Sequence, residues 1–198
     1  MKKILVVVAL FSFSKGFARQ PQPGLLSAAE KNAIVYMWEE EKLARDVYDS
    51  LYVKWGGNPF GNIRQSERVH MDRMLQLITR YDLSDRVDVH KAQPGLFKND
   101  HLQRYYKELV ASGTVSLAGA LKAGATIEEL DIRDLEERMA QTERKDILET
   151  YRFLKQASEN HLRAFVRKLK MQGVDYKPVI LSGAGFAQII GSVNVRGM

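Results

Sequence analysis

No cysteine occurs in the 198 residues. Disulfides, thiolate metal sites and a cysteine nucleophile are therefore excluded, and any metal site must use carboxylate and imidazole. There is no Gly-x-Ser-x-Gly elbow to expose a serine nucleophile. No segment alternates convincingly with period two, so the signal for half-buried strands is absent. No apolar run reaches the ~18 residues that a spanning helix needs. The stretch "GAGFAQIIG", residues 183–191, has glycines but follows no strand, which argues against a phosphate-cradling loop.

What is present begins with a leader. "MKKILVVVALFSFSKGFARQ" carries two lysines, an apolar run from Ile4 to about Phe13, and small residues Gly16 and Ala18. That is the pattern of a secretory signal over residues 1–18, and it implies export to the periplasm or beyond. Removing it takes away Lys2, Lys3 and Lys15 and no acid, so the formal charge falls from +6 to +3. A balance that slight gives no support to a nucleic-acid partner. Once the leader is gone, nothing calls for a membrane either.

Residues 19–27 read as a Pro/Gly linker ending in Ser27, an N-cap with Glu30 at the capping-box position. Helices are expected from Ala28 to about Val53 (helix A) and from about Ile63 through Leu83 (helix B). Two short helices follow, at 101–113 and from Ser116. Helix C is expected from Thr126 and helix D from about Lys145 to Gln172. Residues 28–175 thus form an all-α domain, a four-helix bundle with a long, partly helical connection between B and C. Residues 176–198 are expected to be an irregular tail packed back on it.

The helix faces decide which acids turn inward, since each residue advances ~100° around the axis. Glu41 shares its face with Ile34, Met37, Ala44, Tyr48 and Leu51; Glu40 lies at the edge and Glu39 points away. Glu67 and His70 project together with Ile63, Met71, Met74 and Ile78. On helix C the apolar stripe centres between Glu128 and Asp131. Glu129 is expected outward there, as the capping-box partner of Thr126. His161 shares a face with Leu154, Ala157, Ala164 and Phe165, whereas Glu159 points to the opposite side.

A faint duplication relates "EEKLARDVYD" to "EELDIRDLEE", each followed by a helix with a histidine. That alignment would pair Glu41 with Glu129, so Glu129 stays the alternate ligand on helix C. Singly, each feature has an ordinary structural explanation: surface Glu-x-x-His pairs, core histidines and helix-dipole acids are common. Together, four carboxylates and two imidazoles in one core would each cost several kcal/mol if left unpaired. Two divalent ions would neutralise Glu41, Glu67, Glu128 and Asp131, with His70 and His161 as further ligands. Such a donor set suits iron, manganese or zinc.

At "MWEEEKLARDVYDSLYVKWG", "NIRQSERVHMDRM", "GATIEELDIRDLE" and "SENHLRAF" the chain resembles an uncharacterised ferritin-like family, domain of unknown function 2202, over roughly residues 25–180. The resemblance implies a ferritin-like four-helix bundle with a dinuclear metal centre. The wider ferritin and rubrerythrin group is similar in its Glu-x-x-Ala (Glu41 to Ala44), its Glu-x-x-His (Glu67, His70) and its two acids three apart (Glu128, Asp131). The last helix departs from that pattern, because Ser158 stands where a second Glu-x-x-His would place its glutamate. Three functions are compatible with the sequence. One is an iron-dependent oxidase or peroxidase acting on O2 or peroxide. The second is a metal-sequestering module without turnover, and the third a metal-free helical interaction domain. The chain could act alone or as a homodimer.

Overall fold

The computed structural model describes residues 24–87 and 93–192; the leader expected at 1–18 lies outside them. All regular structure among the described residues is helical: α1 (Ala28–Trp55), α2 (Phe60–Arg80), α3 (Asp100–Gly113), α4 (Leu117–Met139), α5 (Lys145–Met171) and α6 (Gly183–Gly191). None of these is long and apolar enough to cross a membrane.

Local chemistry sets the helix starts. Ser27 and Glu30 form the expected capping box, with Glu30 N–H donating to Ser27 Oγ (3.1 Å) and Ser27 N–H to Glu30 Oε2 (2.8 Å). Asn99, Ser116 and Ser182 cap α3, α4 and α6. Two expectations need correction. The short helix from Ser116 and helix C from Thr126 are one continuous helix, α4. Thr126 is therefore internal, and the cap that starts the helix is Ser116 Oγ, accepting from Gly119 N–H. The tail, expected to be irregular, contains α6, which packs against α5.

Helix α1 packs on α2 and α4 on α5, and contacts of α1 with α4 and of α2 with α5 join the two pairs. α3, in the connection between α2 and α4, packs on α1 and α4. A buried ion pair fastens the approach to α3. Lys42 Nζ donates to Asp46 Oδ2 (2.6 Å) and to the carbonyls of Gln93 and Leu96 (2.8 and 3.0 Å).

The apolar core falls into two clusters. Leu43, Val47, Tyr48, Phe60, Ile127, Leu162 and Phe165 belong to one. Ile34, Met37, Met71, Met74, Leu135, Tyr151 and Leu154 belong to the other. On α1, α2 and α5 the sequence passes from one cluster to the other through buried polar residues: Glu40 and Glu41, then Glu67 and His70, then Ser158. Burying a large apolar side chain stabilises by about 1.5–3 kcal/mol, which lets the two halves carry a polar layer between them.

Candidate metal centre

Four helices supply the layer. α1 contributes Glu41, α2 contributes Glu67 and His70 one turn apart, α4 contributes Glu128, and α5 contributes His161. Within Glu41–Glu67–His70, one ligand atom from each residue lies within 4.8 Å of the others, and the same holds for Glu67–Glu128–His161. Glu67 belongs to both groups. Its Oε2 is 2.7 Å from His70 Nδ1 and its Oε1 is 3.0 Å from His161 Nδ1, so its two oxygens face different histidines. His70 Nδ1 also lies 3.1 Å from Glu41 Oε2, and His161 Nδ1 lies 3.5 Å from Glu128 Oε2. The imidazole rings stack with centroids 5.6 Å apart. Glu41, Glu67, His70 and Glu128 have side chains 1–2% exposed, against 12% for His161.

The site meets the test of a cation site in its unused atoms. Glu41 Oε1, Glu67 Oε1, Asp131 Oδ1 and His161 Nδ1 are all buried and have no hydrogen-bond partner. Glu67 Oε1 and His161 Nδ1 lie 3.0 Å apart, an ion pair when the ring carries a proton. Oxygens and ring nitrogens that converge yet stay poorly satisfied suit a shared cation, since buried polar atoms without partners are costly.

The electrostatics agree. Burial raises the Glu41 carboxyl to about 8, against the pull of His70. Burial alone would lower His161, but Glu67 and Glu128 outweigh it and hold the ring at about 10. His70 is likewise raised, by Glu67 and Glu41 acting against burial. Burial would raise Glu67, yet the two imidazoles together hold it well below the usual carboxylate range. Without metal, protons on the histidines stand in for cations.

Asp131, on α4, is buried nearby but belongs to neither group. Ser158 Oγ hydrogen-bonds its Oδ2, leaving Oδ1 bare. The serine that breaks the Glu-x-x-His repeat thus holds a carboxylate from the adjacent helix.

Glu129, expected to point outward, is fully buried. It accepts from Tyr176 Oη (2.6 Å) and from the backbone N–H groups of Val179 (3.0 Å), Ile180 and Leu181 (both 2.8 Å). The face turned away from the centre is covered by the tail, which an estimate of direction on one helix could not reveal. Two other contacts were not anticipated. Tyr48 donates to Glu128 Oε1 at 2.5 Å, and its hydroxyl lies 3.3 Å from the Gly124 carbonyl. Glu40, placed at the stripe's edge, is buried with both oxygens unpartnered. The only sequence signal for that region was the repeated Arg-Asp pair. Arg45 with Asp46 and Arg133 with Asp134 adopt the same arrangement, Nε and Nη2 donating to Oδ1.

Residues 30–193 match the family model described as an uncharacterized protein domain, DUF2202. The chain belongs to the DUF2202 family. It is 42% identical over 189 residues to the uncharacterized protein MJ0754 of Methanocaldococcus jannaschii, covering 96% of this chain and 99% of that protein. It is also similar to the crystal structure of the hypothetical protein MJ0754, with a TM-score of 0.84 over 87% of this chain and 98% of that one. The DUF2202 description and the name of MJ0754 specify no activity and no metal. For this member, the chemistry of the donor set is the functional information.

Proposed function

We propose that the protein is a ferritin-like metalloprotein whose polar layer binds two divalent transition-metal ions, iron foremost and manganese or zinc as alternatives. The observation that carries this reading is the sharing of Glu67 by two convergent groups, each with one further carboxylate and one imidazole. Glu67 would serve both ions, Glu41 and His70 would hold the first, and Glu128 and His161 the second. Asp131 supplies the fourth negative charge, bringing the cluster near neutrality. Tyr48 orients Glu128, and the apolar clusters above and below exclude water. Bound as Fe(II), the ions would supply electrons to O2 or peroxide by their own oxidation to Fe(III), the reaction we assign to the centre. The leader at 1–18 would send the protein out of the cytoplasm, where it would serve oxidative defence or iron handling.

The test is elemental analysis of the purified protein, followed by Fe(II)-dependent consumption of O2 or peroxide. Two bound ions, and a rate abolished by Glu67→Ala with His70→Ala, are expected. Bound metal without turnover would favour a sequestering module, a reading to which Ser158 lends support because it removes one carboxylate from α5. Absence of bound metal after growth with each candidate ion would refute the centre.

A further inference from the structure

The interior holds a carboxylate that neither group uses. Glu40 is 1% exposed, and neither of its oxygens has a hydrogen-bond partner. It leaves α1 about 100° away from Glu41. Burial and then Asp134 and Asp131 raise its carboxyl well above the usual range, against Arg138 and Arg133, which favours the protonated acid while no cation is present. Those guanidiniums lean mainly on Asp134, and Arg138 Nε is itself without a partner. Arg133 donates twice to Asp134 Oδ1 (2.8 and 2.6 Å). Arg138 lies 4.3 Å over the Tyr36 ring, with Nη2 3.7 Å from Asp134 Oδ2. Further inward, Asp131 keeps Oδ1 bare and feels the charges of Glu41, Glu128 and Glu67. Glu40 thus interacts with Asp131, and Asp131 with the acids of the two groups.

At the outer end is Tyr36, one turn before Glu40 on the same face of α1. Its ring walls a surface cavity of about 410 Å3 together with Asn32, Glu39, Asn99 and Arg138. Burial and the charges of Glu40 and Asp134 raise its phenol, so the residue that walls the cavity also interacts with Glu40. A buried carboxyl without a partner is costly even when neutral, and no hydrogen bond among the described residues satisfies this one. Ions bound by side chains 1–2% exposed need a way in.

We propose that Glu40, with Asp131, is a transient ligand that passes divalent cations from the Tyr36–Arg138 cavity to the centre at Glu41, Glu67 and Glu128. The inference rests on the metal-centre reading above. No bond to carbon changes and no electron moves. The ion exchanges water for the Glu40 and Asp131 oxygens, then exchanges those for the oxygens and ring nitrogens of the two groups, and each proton it displaces passes to water. Displacement of the Tyr36 ring admits it.

Loading is followed with Co(II) alone, added to the purified metal-free protein in a stopped-flow spectrometer, with the endpoint counted by elemental analysis. Glu40→Gln keeps shape but cannot give up a proton to become an anionic ligand. It should load about tenfold more slowly, since the ion loses a carboxylate stop on its way in, yet reach the wild-type stoichiometry. Tyr36→Ala should load faster than wild type. Wild-type rates in both variants would overturn the route and leave the centre standing. Slow loading with an ion missing would also overturn it, by making Glu40 a resident ligand. Should Glu40→Gln fail to fold, an unchanged rate in Tyr36→Ala refutes the route by itself. A wild-type protein that takes up no Co(II) would instead sink the centre.

Discussion

Glu67 makes the sharpest prediction, because two ions depend on one side chain. A ligand present at about 1,000 times its Kd stabilises the folded state by about 4 kcal/mol, so two ions contribute roughly 8 kcal/mol. In a chain of 198 residues, each kcal/mol moves the melting temperature by about 2–4 °C, which gives a metal-dependent rise of roughly 16–32 °C. The quantity to compare is the rise within each variant, loaded minus chelated, since changes in the metal-free fold then cancel. Glu67→Gln keeps the side chain's shape but loses the charge shared by both groups, and the rise should all but vanish. Glu41→Gln and Glu128→Gln each weaken one group, and each should keep roughly half of it. Scanning calorimetry with and without chelator measures all four proteins. A wild-type protein whose melting is indifferent to metal refutes the reasoning, as does a Glu67→Gln variant with the full rise.

The metal-free protein should lose stability as pH increases from about 5 to 10, because Glu41 (about 8) and His161 (about 10) bind protons more tightly folded than unfolded. Their contributions are complete below the unfolded values and vanish through the folded ones, whereas Glu67, shifted downward, loses its own only in strong acid. Metal competes with these protons, so the metal-dependent rise should grow with pH over the same range; melting curves at several pH values, with and without chelator, would expose a flat profile. Tyr48→Phe leaves Glu128 Oε1 without its partner and should weaken one of the two ions about tenfold, read by calorimetric titration. Glu129→Ala strips the tail of its anchor and should cost about 3 kcal/mol in denaturant unfolding, with protease cleavage appearing at 174–182.

Periodicity made much of this legible. Helical spacing revealed the long helices, and the helix faces pointed to Glu41, Glu67, His70, Glu128, Asp131 and His161 among the many charges around them; all but Asp131 fall in the two groups. Two features stayed hidden for a common reason: they depend on partners distant in sequence. Glu129 reads as outward only because the stripe on α4 knows nothing of Tyr176 and the backbone at 179–181. Glu40 reads as a boundary residue because Asp134 and Asp131 approach it from another helix. The break assumed before Thr126 failed differently. Its threonine and glutamate spacing imitates a capping box, but the chain was already helical from Leu117.

The duplicated acidic pairs show how a sequence repeat and a site can disagree. Alignment sets Glu40 against Glu128 and Glu41 against Glu129. The two groups take Glu41 from α1 but Glu128 from α4, opposite members of the pairs. One position is about 100° of helix rotation, so α4 presents a different face to the polar layer than α1 does. The leftover acids are then buried in different surroundings: Glu40 bare beside Asp131 and Asp134, Glu129 saturated by the tail. Because Glu128 and Glu129 leave a rigid helix in different directions, releasing the tail should not withdraw Glu128 from its neighbours. Glu129→Ala is accordingly expected to bind as many ions as wild type despite its lower stability. Loss of one ion in that variant would mean that the tail, and not α4 alone, sets the position of Glu128.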